Sequence, residues 1–331
     1  MRSLFCRTRR RAVVVFVLFA LTSPPVFAGG DQEAASGAAG DAAMESEEGQ
    51  EPLSVFVSVL PQQYFLERIA GERAEVTVLV PAGSPPATYD PTPRQVAAIG
   101  EADLWFRIGV PFENSFAPEI RANLPDLPIV DTRQGIDLRT LEEHSHGEED
   151  HGDEHADEHH EDEHDHEHSG TVDPHIWLGT EEVVTQAGTI RDTLIDMDPE
   201  HAEVYREGYQ AFTTDIAELR SELDEILEPL RGESFFVYHP SFGYFLEPFG
   251  INQIAIETGG GEPTPQQLQR LIERGQEEDI QVVFVQPEFS QTAAQRVAEA
   301  LDAEVIEVNP LAPDWLANMR RLARRIEEGL E

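Results

Sequence analysis

The sequence predicts an α/β protein of two lobes, each built on a parallel-type sheet, joined by one long rigid helix. Three observations carry this. From residue 53 onward, short β-like runs alternate with helix-like patterns, the rhythm of a parallel sheet covered on both faces. The rhythm then gives way to one amphipathic segment over residues 200–230. There Tyr205, Tyr209, Phe212, Ile216, Leu219, Leu223, Ile226 and Leu230 recur at steps of three and four, a single apolar stripe. After it, a second βα rhythm runs to the C-terminus.

In chain order, strands are expected over residues 55–59 and 76–80, with a helix over 62–70 between them. The segment Pro81-Ala82-Gly83-Ser84-Pro85-Pro86 stops the second strand. A helix over 92–101 has Pro93 in its first turn, where proline is tolerated. Strands over 104–108 and 128–130 flank a short helix over 113–122. A helix over 181–197 ends at Asp198-Pro199. The long helix, of about 30 residues at 1.5 Å rise, would span roughly 45 Å. Strands follow over 234–238, 253–256, 282–285 and 304–308, and helices over 265–276, 292–300 and 314–328. Residues 53–199 are read as the first lobe, 200–230 as the linking helix and 231–331 as the second lobe. Ligands of such sheets bind beyond the carboxyl ends of the strands, so the expected site is the cleft between the lobes.

The N-terminus reads as an export signal over residues 1–28. A basic start containing Arg2, Arg7 and Arg9 to Arg11 precedes an apolar run over 12–21, and Val26-Phe27-Ala28 is a cleavage site. The only cysteine, Cys6, precedes the apolar run, so no typical bacterial lipid anchor is expected. The mature chain then has no disulfide, and any metal must be held by nitrogen and oxygen. Residues 29–52 are read as a flexible tether. The net charge is −41 and all 23 basic residues are arginine. Nucleic-acid binding, which needs a basic footprint, is excluded.

Nine of the twelve histidines fall in a tract over residues 142–170: His144, His146, His151, His155, His159, His160, His164, His166 and His168. The tract also holds fourteen Asp and Glu residues. With almost nothing apolar in it, it is expected to be a disordered loop, and its imidazoles suit zinc, copper or nickel. Outside it stand His175, His201 and His239. His201 is read as a solvated residue of the long helix. His239 directly follows the strand containing Phe235-Phe236-Val237, where an α/β lobe places functional groups. His175 follows Asp173-Pro174. One histidine from each lobe makes an interlobe metal site, and these two are the candidate ligands.

The chain resembles the metal-binding solute-binding proteins of bacterial ABC importers, the ZnuA/TroA type. The markers are Pro81 to Pro93, Asp173-Pro174-His175-Ile176-Trp177-Leu178, the segment from Tyr238-His239-Pro240 to Tyr244-Phe245, and Glu257 to Pro265. The resemblance implies two lobes on a rigid helix, a divalent metal as cargo (zinc before manganese), an ABC permease as partner and a monomer outside the cytoplasm. It also implies that an acidic His-rich loop belongs with zinc. At two places the chain departs from the family. Ala87 stands where a first histidine is usual, and Asn309 stands where an Asp is usual. Asn309, Glu257 and Glu262 are weaker candidate ligands. A histidine of the tract, one of these glutamates, or a chelator arriving with the metal would complete the sphere.

Three alternatives remain open at this point. The same fold serves as a zinc buffer or surface adhesin, or it binds a metal chelate. A secreted metal-dependent hydrolase is the minor reading: no Gly-x-Ser-x-Gly segment is present, and the single His-Glu-x-x-His match, His160 to His164, lies inside the acidic tract.

Overall fold

The computed structural model describes residues 51–141, 171–257 and 261–330. The first lobe contains β1 (Leu53–Val57), α1 (Leu60–Ala70), β2 (Ala74–Val78), α2 (Pro93–Ile99), β3 (Leu104–Arg107), α3 (Glu113–Asn123) and β4 (Ile129–Asp131). Two helices follow, α4 (Thr180–Met197) and α5 (Ala202–Leu227). The second lobe contains β5 (Ser234–Val237), α6 (Gly243–Leu246), β6 (Asn252–Ala255), α7 (Pro265–Glu277), β7 (Val282–Val285), α8 (Gln291–Leu301), β8 (Glu304–Glu307) and α9 (Trp315–Leu330).

Each lobe has a four-stranded, wholly parallel sheet, in the orders β2-β1-β3-β4 and β6-β5-β7-β8. The two orders are equivalent. In each, the chain reverses direction across the sheet between the first and third strands, the place where parallel sheets open a crevice. The inner strands are apolar on both faces. Val55, Phe56 and Val57 of β1, Leu104 to Phe106 of β3, and all of β7 are buried, as strands covered on both sides must be. In β5 the faces divide: Phe235 and Val237 join the main core, while Phe236 and Tyr238 join a second cluster under α7 and α8.

The first strand ends two residues earlier than its sequence suggests, for a local reason. The amides of Ser58 and Val59 donate to Oε1 of Gln62, at 3.0 and 3.3 Å. They serve the start of α1 instead of the ladder.

The long helix is also shorter than the segment 200–230 expected from the sequence. It has 26 residues, roughly 39 Å. Pro199 and Pro229 lie in single 3-10 turns at its two ends, Pro199–His201 and Glu228–Leu230. Proline supplies no amide hydrogen, so neither turn propagates as α-helix. His201 therefore lies before the helix, not on it. It is not simply solvated either. Its Nδ1 is 2.9 Å from the Asp198 carboxylate, which also accepts the Tyr205 hydroxyl at 2.6 Å. Burial alone would raise the Asp198 pKa, but these two bonds and the charge of Arg73 hold it below the usual carboxylate value.

Helix α5 carries Tyr205, Phe212, Ile216, Leu219, Leu223 and Leu227 into the core. At Gly208 it presses against the end of α1, where a Cβ would lie 2.4 Å from the Ile69 carbonyl oxygen. Only glycine permits that approach. On its other side α9 returns from the second lobe and sets Trp315 edge-on against Phe65 of α1, ring centres 5.4 Å apart. Trp315, at the start of the C-terminal helix, thus packs into the core of the first lobe.

Candidate metal centre

The cleft is about 760 Å³ and lies at the carboxyl ends of both sheets. Its walls come from the loops after the strands: Ala87 after β2, Val110 after β3, Arg133 after β4, His239 after β5, Glu257 after β6, Glu288 after β7 and Leu311 after β8.

His175 enters from the segment that precedes α4. The Asp173 carboxylate accepts its backbone amide at 2.9 Å and lies 2.7 Å from its Nδ1. Proline between the two residues stiffens this turn. Asp173 is itself buried, and its amide donates to the Arg139 carbonyl at 2.8 Å. The ring packs edge-on against Trp177, centres 5.1 Å apart. Burial pushes the His175 pKa down, and the neighbouring Asp173 carboxylate works against that shift.

His239 stands at the end of β5. Its Nδ1 is 2.6 Å from Oε1 of Glu257, and Phe289 stacks on its ring at 4.9 Å. Gln286, at the end of the adjacent strand β7, clamps its backbone. Oε1 of Gln286 accepts the His239 amide at 3.2 Å, and Nε2 donates to the His239 carbonyl at 2.6 Å and to the Ser241 hydroxyl at 3.1 Å.

The two imidazoles meet. Nε2 of His175 is 3.2 Å from Nε2 of His239. Each Nδ1 faces a carboxylate, which accepts only, so each Nδ1 carries the hydrogen and each Nε2 presents a lone pair. Two lone pairs facing each other repel unless a cation lies between them. Two nitrogens at about 2.05 Å from a tetrahedral zinc ion are roughly 3.3 Å apart. The observed separation is therefore that of two corners of such a site. The carboxylate behind each imidazole fixes its tautomer and ring orientation, as outer partners of metal-binding histidines do.

The other sequence candidates take different places. Glu257 supports His239 from behind, at the nitrogen away from His175. Glu262 is exposed and does not line the cleft. Asn309 is engaged locally: its Oδ1 accepts the Leu311 amide at 2.8 Å and its carbonyl accepts Nδ2 of Asn318 at 2.7 Å. Pro310 and Leu311 line the cleft in its stead. Ala87 lines the cleft and supplies no donor. Among the described residues, no three His, Cys, Asp or Glu side chains are gathered in a set that could hold a metal. The nine tract histidines, the signal segment and the tether up to residue 50 lie outside the described residues. The stems of the tract are described: Leu141 and Thr171 both line the cleft, and the Leu141 amide donates to the Thr171 carbonyl at 2.8 Å.

Sequence reasoning missed Asp173 as the support of His175, although it is part of the same motif. It also missed Gln286, Glu288 and Phe289. The available signal was Gln-Pro-Glu-Phe placed immediately after the fully apolar strand β7.

The manganese-binding lipoprotein MntA of Halalkalibacterium halodurans is 29% identical over 225 residues, 67% of this chain and 66% of that protein. The zinc-binding lipoprotein AdcA of Streptococcus pneumoniae is 26% identical over 263 residues, 78% of this chain and 50% of that protein. The chain thus spans about two thirds and one half of these relatives. Both are named lipoproteins, in contrast to the expectation drawn here from the position of Cys6. A crystal structure of ZnuA matches with a TM-score of 0.74 at 34% identity, over 85% of this chain and 100% of that one. A family model described as zinc-uptake complex component A, periplasmic, matches residues 55–329. That match runs from the first strand to the last helix, and the chain belongs to the ZnuA family.

Proposed function

We propose that this protein captures a divalent metal ion outside the cytoplasm, in the cleft between its lobes, and passes it to an ABC permease. His175 and His239 are the ligands, and zinc is the cargo. The observation that carries the reading is the 3.2 Å approach of the two Nε2 atoms, with a carboxylate behind each ring. Imidazole nitrogens favour zinc over manganese, which prefers oxygen. The name of the AdcA relative points to zinc and that of the MntA relative to manganese, and the ligand chemistry supports zinc. The capture step is ligand exchange on the ion. The family is not one of enzymes, and the hydrolase reading falls with family membership.

The test is zinc binding measured by competition with a chromophoric chelator, on the wild-type chain and on His175→Ala and His239→Ala. Each single substitution should abolish the tight site. Full retention of tight binding in either variant would remove that histidine from the site and the reading with it.

A further inference from the structure

Glu288 lies on the loop between β7 and α8, and lines the same cleft as His175 and His239. Its Oε2 atom is closed off from solvent and has no hydrogen-bond partner among the described residues. A carboxylate oxygen only accepts, and an unpaired one in a dry place is costly. Most such atoms in folded proteins have a partner, so an exception needs a reason. The position of the loop is tied to the candidate site, because the next residue, Phe289, stacks on the His239 ring. The site, in turn, lacks an anionic donor. Ala87 has no ligating atom, and the Asn309 side chain is committed to the Leu311 amide. Two neutral imidazoles leave the charge of a divalent ion unreduced and two coordination positions unfilled.

We propose that Glu288 is an oxygen ligand of the captured metal. Its free carboxylate oxygen turns onto an ion held by His175 and His239 and completes a set of two nitrogens and one oxygen, with water in the fourth position. No such three-donor set exists yet among the described residues, so side-chain rotation at Glu288 accompanies metal arrival. The unpartnered oxygen is then a donor held ready for the ion. The inference rests on the metal-capture reading and adds to it the source of the missing negative charge.

The test uses the exported chain and Glu288→Gln, with Glu262→Gln as the exposed control. Zinc affinity is read by chelator competition, and cobalt(II) serves as the spectroscopic probe of coordination. Glu288→Gln should weaken zinc by at least about tenfold, since even outer partners of metal ligands are worth that much. It should also alter the cobalt visible spectrum. Without zinc its melting temperature should rise, because a dry charge is replaced by a neutral amide, and the further rise on adding zinc should shrink. A purely structural Glu288 would not produce opposite changes in the metal-free and metal-bound forms. Wild-type affinity with an unchanged cobalt spectrum in Glu288→Gln overturns the inference. If the two histidine variants lose zinc in that same experiment, metal capture stands and only the role of Glu288 fails. If both histidine variants bind as the wild type does, both ideas fail.

Discussion

Trp177 and Trp315 are tied together across the lobes: the indole of Trp315 donates to the Trp177 carbonyl at 2.6 Å. The indole of Trp177 in turn donates to the Pro310 carbonyl at 2.9 Å. Both side chains are buried, so each bond closes a polar group that water cannot reach. The pair lies two residues from His175 on one side and on the C-terminal helix on the other. It holds the wall that carries His175 against the loop after β8.

Trp315→Phe keeps an aromatic ring but removes the donor. The Trp177 carbonyl is left buried and unpaired, which costs about 1 to 3 kcal/mol. The urea midpoint of the metal-free protein should fall accordingly, with little change in slope. An unchanged midpoint would show that the tie contributes nothing to stability.

Asp173 touches no ion in the proposed site, yet its loss should matter. Asp173→Asn keeps the shape while removing the charge that fixes the His175 tautomer. Zinc affinity should fall by about 10- to 100-fold, and Glu257→Gln should act in the same direction through His239. Chelator competition reads both. Affinities equal to wild type would mean that the rings are oriented by packing alone.

Acid should destabilise the metal-free protein through His175. Its folded-state pKa lies below the ordinary 6.5 because burial disfavours the charged ring. Between that lowered value and 6.5, the unfolded chain binds more protons than the folded one. Stability is then complete above pH 6.5 and is lost as pH falls below it. For this imidazole, proton competition with zinc sets in lower than the pH of about 6.5 that an ordinary histidine implies. Urea midpoints at pH 7.5 and 5.5 should drop more in the wild type than in His175→Gln. Equal drops would remove His175 from the pH dependence.

Removing residues 142–170 should leave the tight site intact. The Leu141 amide and the Thr171 carbonyl already meet at 2.8 Å, so a short Gly-Ser link can close the stem without moving His175. Equilibrium dialysis should show one tight zinc retained and the weaker ions lost. Loss of the tight zinc would place a tract histidine in its coordination sphere.

Much of the fold was legible because its signals are local. Apolar runs such as Val282–Val285 read as buried strands, and the period of the stripe from Tyr205 to Leu230 reads as a helix with one covered face. Proline punctuation was misjudged at the helix ends. Pro199 and Pro229 turn the first and last residues of the segment into 3-10 turns, and the apolar stripe continues across the second of them because Leu230 is still buried. In the site, His175 and His239 stood out because few histidines lie outside the tract. Their supports did not, since an Asp or Glu that faces a ring nitrogen looks in sequence like any other acidic residue of this very acidic chain.

The sequence by itself determined the two βα rhythms, the amphipathic helix between them and the pair of histidines at strand or motif ends, because periodicity and residue chemistry are properties of neighbours along the chain. Only the tertiary structure decided that those two imidazoles, 64 residues apart, meet at 3.2 Å. It alone showed that Asp173 and Glu257 stand behind them, that Asn309 is spent on a local turn and that Glu288 lines the cleft with one oxygen closed off from solvent. These are relations between loops brought together by two separate sheets. The order of residues along one strand cannot specify which way a side chain on another loop will face.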